Sequence, residues 1–178
     1  MSTTTTDHDV CMHEAAHAVL AAALGLPLGA ASVVPGPGYH GRVRVDDPAG
    51  AWTRQDTELR LLVALAGHAR CEDEDTIHAD CLSGRCGNEV HCDWARAYAY
   101  ARRLADADAL AGESVEALAC DYVWLYFVRA RRMVSRPPLA SCINRRAVLL
   151  ARNKTVDGWR VRRIVRTAVI YHEGIADN

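Results

Sequence analysis

The chain has 178 residues, half of them apolar and 24% charged, with a formal net charge of −1. That length allows one domain with a sizeable core or at most two small ones, and the composition is ordinary for a globular protein. The most apolar stretch, residues 17–34, is broken by Gly25, Pro27 and Gly29, which argues against a membrane span.

The opening MSTTTTDHDV lacks the basic and apolar regions of a signal peptide, so the cytosol is the expected location. In that compartment the seven cysteines read as thiols or metal ligands rather than as a disulfide framework. A first helix is expected from Thr6 or Asp7 to Leu24, with Gly25 as its C-terminal cap and Pro27 barring continuation. Ser32–Val34 and Arg42–Val45 read as short strands around the turn signal Pro35-Gly36-Pro37-Gly38. A second helix fits Arg54 or Asp56 to Glu72, where Gly67 implies close packing against a neighbour. Residues 73–90 read as an irregular loop. Further helices fit residues 88–107, 113–134 (stopped by Pro137-Pro138), 139–152 and 158–171, the last with Asp157 as N-cap. The fold class is therefore mainly α with a small β-hairpin or sheet after the first helix, in a single domain spanning 1–178.

The chemistry concentrates in His13-Glu14-Ala15-Ala16-His17. Positions i and i+4 share one face of a helix, so His13 and His17 can offer two imidazole nitrogens to one metal ion. Glu14 projects beside them, where a general base is needed. Two histidines set among Ala15, Ala16, Val19 and Leu20 need partners, which weakens the reading of two incidental surface histidines. A catalytic zinc site also needs a third protein ligand, and spacing alone leaves the choice among later Asp, Glu, His and Cys open.

Several segments, in order, resemble the zinc-peptidase domain of the FtsH family, the ATP-dependent membrane proteases. His13–His17 with Ala18-Val19 is similar to that family's HEAGH segment, and Ser32-Val33-Val34-Pro35 to its short SIIP-type strand. Leu62–Ala69 is similar to its LLGGRAAE helix, Cys92-Asp93-Trp94 with Ala97 to its NDLxxAT segment, and residues 149–164 to its closing helix pair. The resemblance implies a helical zincin-like fold, one Zn2+ held by His13, His17 and Asp93, and Glu14 as catalytic base in peptide-bond hydrolysis. It implies a protein or peptide substrate and, since no Gly-rich phosphate loop is present, a separate ATPase or adaptor. Oligomeric state stays open. The chain departs from the pattern at His68, where the family has the second Gly of a pair, and at Cys92, where it has Asn.

Two further readings compete. His78, Cys81, Cys86, His91 and Cys92 lie within fifteen residues and could hold a second, structural zinc, although they lack a clean C-x-x-C pair; reduced thiols are the plainer expectation. Charge is also uneven: residues 1–128 carry 9 Lys/Arg against 19 Asp/Glu, and residues 129–178 carry 12 against 3. Arg145, Arg146, Arg160, Arg162, Arg163 and Arg166 could form a helix-turn-helix that binds DNA phosphates. Val148, Leu149, Val161 and Ile164 among them read instead as packing residues. A catalytically silent peptidase fold used as a binding module is the remaining alternative.

Overall fold

The computed structural model describes residues 4–37, 39–48, 50–72, 77, 79–84 and 93–176. Its centre is α1 (Thr4–Ala23), which is inside on nearly every face: Ala15, Ala16, Ala18, Val19, Leu20 and Ala21 are all at most 1% exposed. Small side chains let neighbouring helices approach from several sides, and Ala costs the helix nothing in propensity. The helix ends as expected. Gly25 adopts φ +73°, Leu26 N–H bonds the Ala21 carbonyl and Gly25 N–H the Ala22 carbonyl, the paired bonds of a Schellman cap.

A three-stranded antiparallel sheet follows, in the order β2-β1-β3. Strand β2 occupies Arg42–Val45 as expected. Strand β1 is Leu28–Ser32, beginning four residues and ending two residues before the expected Ser32–Val34. Its inward residues are Leu28 and Ala31, and Val34 is left exposed. Strand β3 (Thr155–Asp157) pairs Ala31 with Val156 and was not anticipated; Asp157, expected as a helix N-cap, is its last residue and directly precedes the helix that begins at Gly158. With β1 paired on both sides, β2 is an edge strand.

Helix α2 (Arg54–Cys71) starts at a capping box, in which Thr53 Oγ1 accepts from Asp56 N–H and Asp56 accepts from Thr53 N–H. A short turn of helix, α3 (Ala79–Leu82), comes next among the described residues. Helices α4 (Asp93–Asp108), α5 (Val115–Val134), α6 (Pro137–Asn153) and α7 (Gly158–Ala176) complete the chain. Pro137 and Pro138 do more than stop α5: they open α6, at the positions where a missing N–H costs nothing.

The protein is thus mainly helical with one small sheet. Helix α1 packs between α2 on one flank and α6 and α7 on the other, while α2 packs on α4 and α5. The buried apolar residues of all these elements form one continuous cluster. No helix among the described residues is long and apolar enough to cross a membrane.

Candidate metal centre

The α1–α2 interface is apolar along most of its length and polar at one end. There His13 and His17 face α2 and Glu14 lies beside them, with Glu14 and His17 buried and His13 half-buried. Helix α2 answers with a glycine. A Cβ at Gly67 would lie 2.4 Å from His13 Cε1 and 2.5 Å from each of the two Nε2 atoms. Any side chain at residue 67 would therefore fill the space the two imidazoles share. The close packing expected of Gly67 is real, and what it packs against is the site.

Asp93 reaches this space from the first turn of α4, where the helix dipole favours a carboxylate. The adjacent Trp94 anchors that turn: it is buried, stacked on His68 and on Phe127. Asp93 Oδ2 lies 3.0 Å from His13 Nε2 and 3.1 Å from His17 Nε2, and the two nitrogens are 3.0 Å apart. Arg96 holds the other carboxylate oxygen at 3.4 Å. Three electron-rich atoms thus form a near-equilateral triangle.

Protons alone serve this triangle poorly. His17 donates Nδ1–H to the Val63 carbonyl at 2.6 Å, so its neutral ring presents a lone pair at Nε2. That lone pair meets a carboxylate oxygen and another ring nitrogen, and a cation between them removes the repulsion. The sides of the triangle match the ~3.3 Å separation of ligand atoms around a tetrahedral Zn2+ with bonds of ~2.0–2.1 Å. Two imidazoles and a carboxylate are a zinc donor set, and the His17–Val63 bond is the kind of contact that fixes a ligand's tautomer. The four residues expected at the site are therefore together, and three of them fit the metal.

The electrostatics agree. Burial works against a charged His17, but Asp93, through its charge and hydrogen bond, and Glu14 outweigh it and hold the imidazole pKa up at about 9. His13 is shifted upwards on the same balance of burial against Asp93, with the Cys71 side chain as a further hydrogen-bond partner. Asp93 sits well below the usual carboxylate range, because the two histidines overcome its burial. Glu14 is pushed up by burial, with the histidines opposing. All four line a cavity of about 750 Å³ together with β2. A Cβ at Gly41 would lie 2.5–2.7 Å from the Glu14 carboxyl end, so this glycine lets Glu14 lie against the head of the edge strand.

Of the five residues considered for a second zinc, His78, Cys86, His91 and Cys92 lie outside the described residues; Cys81 is a half-buried free thiol. Among the basic C-terminal residues, Arg146 is buried on the Arg160 carbonyl and Arg162 donates to the Leu28 carbonyl. Strand β3 separates the two helices that carry them. Sequence reasoning missed His68 as a site residue. Its ring faces His13 edge-on at 5.0 Å and lines the same cavity. The available signal was its place on the predicted second helix one turn before Glu72, which now bonds it at 2.6 Å. No protein-family model matches the chain, and no curated protein matches it.

Proposed function

We propose that this chain is a zinc-dependent metallopeptidase of the kind its FtsH resemblance implies, acting on protein or peptide segments in the cytosol. The observation that supports it best is the triangle of His13 Nε2, His17 Nε2 and Asp93 Oδ2, at 3.0–3.1 Å, with Glu14 beside it in an open cavity. When bound, zinc supplies Lewis acidity, polarising a carbonyl and bringing the pKa of water towards ~7. Glu14 takes a proton from the attacking water and returns it to the departing amine. Gly41 keeps the space that lets the carboxylate do this next to substrate backbone.

The edge strand β2 runs along the cavity wall, and its unpaired side suits an extended peptide added as a further strand. Strand β1 is paired on both sides and offers no such edge. Co-crystallisation with a peptide lying away from β2 would refute that part. Folded substrates require a separate ATPase or adaptor to unfold them.

The deciding experiment is elemental analysis of wild type and Asp93→Ala, each reconstituted with Zn2+ and dialysed. One zinc per chain in wild type and less than a tenth of that in the variant is expected. A zinc-free wild type would sink the reading.

A further inference from the structure

His68 stands where the resemblance offers only glycine, and the structure puts it at the metal centre. One ligand atom from each of His13, His68 and Asp93 lies within 4.8 Å of the other two, so this set has two residues in common with the triangle above. The His68 ring is fixed on three sides: Trp94 stacks on its face at 4.7 Å, His13 meets it edge-on, and Glu72 takes Nδ1–H at 2.6 Å. A carboxylate on Nδ1 leaves the neutral ring's lone pair at Nε2. Carboxylate–histidine pairs of this type are how proteins orient and strengthen imidazole ligands. His17 is prepared the same way by the Val63 carbonyl.

We propose that His68 is a fourth protein ligand, closing the metal site in its resting state and withdrawing when substrate arrives. This rests on the zinc reading above. Ligand atoms on a tetrahedral zinc are ~3.3 Å apart, so the His68 atom lies no more than about 1.5 Å beyond that spacing from those of His13 and Asp93. Four protein ligands make a closed site and three leave the open position that catalysis needs. His68 therefore sets which of the two this protein presents, and the cavity that admits a substrate is also the space into which the ring withdraws.

The test uses Co2+ as a spectroscopic replacement for zinc in the full chain. Wild type and His68→Ala are loaded, checked for folding by circular dichroism, and compared by visible absorption and chelator competition. His68→Gln serves if the alanine variant does not fold. The variant is expected to bind one Co2+ about 10- to 100-fold more weakly, with an altered visible spectrum that added imidazole returns to the wild-type form. A small hydroxamate should perturb the variant's spectrum at lower concentration than that of wild type. Identical spectra and affinities in wild type and variant would overturn the proposal and leave the three-ligand site standing. A wild type that takes up no Co2+ would remove both.

Discussion

Arg146 and His17 are both buried ionisable side chains, at 1% and 5% exposure. Arg146 on α6 donates to the Arg160 carbonyl in the first turn of α7, so the chain supplies the partner and the guanidinium ties two helices together. Burial pulls its pKa down, the ordinary penalty on a cation in apolar surroundings. His17 meets the reverse situation. Its Nε2 faces a carboxylate oxygen and another imidazole nitrogen, and its pKa is driven up to about 9. Arg146 is held by one carbonyl, with its Nε buried and without a hydrogen bond among the described residues, while His17 lies among acceptor atoms close enough to share a cation. Burial of charge alone does not mark a functional site. A mutual excess of acceptors is the stronger sign, because without a proton or a metal ion the three atoms repel one another.

Filling that space should have the largest effect. Gly67→Ala puts a methyl group within 2.5 Å of both ring nitrogens and should lower zinc affinity by more than about 100-fold. The same change favours the helix itself by about 1 kcal/mol, so thermal unfolding of the metal-free variant should stay cooperative while isothermal titration shows no metal uptake. Glu14→Gln separates holding the metal from using it. One zinc per chain should remain, while hydrolysis of an unfolded peptide falls about 10²- to 10⁴-fold.

Acidity sharpens the contrast further. A folded-state pKa of about 9 for His17, above the ordinary 6.5, gives the metal-free protein stability that is complete below pH 6.5 and lost as pH rises through about 9. Zinc binding needs the unprotonated ring, so affinity should climb across the same window. Melting temperatures with and without zinc should diverge between pH 6.5 and 9; parallel curves would contradict the acceptor triangle. The smallest effect belongs to Arg146→Met. It keeps the volume but strands the Arg160 carbonyl, costing about 1–3 kcal/mol in chemical denaturation, with zinc content unchanged.

The parts of this molecule that were legible in advance depend on neighbours in sequence. His13 and His17 share a helical face by their spacing, Gly25 caps α1 by its freedom at positive φ, and Arg42–Val45 alternates as a strand should. What escaped depends on partners brought from far along the chain. Strand β3 is three residues long and exists because β1, some 125 residues earlier, is there to receive it. Strand β1 itself begins four residues and ends two residues before its expected place, since its boundaries follow the ladders on either side rather than its own modest β-propensity. Asp93 could be singled out only through the family resemblance, because no local pattern says that α4 will point its first turn at α1. His68 looked like a departure from a pattern; its role emerges only with Trp94, Glu72 and His13 packed around it.

Helix α1 carries the motif, yet its second flank is covered by α6 and α7, which begin at Pro137 and Gly158. During synthesis the reactive segment emerges from the ribosome more than a hundred residues ahead of the helices that brace it. The half-made chain therefore holds the His13–His17 motif without the helices that brace it. A long interval between motif and brace slows folding, but it also makes potency a property of the finished molecule. On the peptidase reading proposed above, activity against extended polypeptide would arise only once this chain has itself folded.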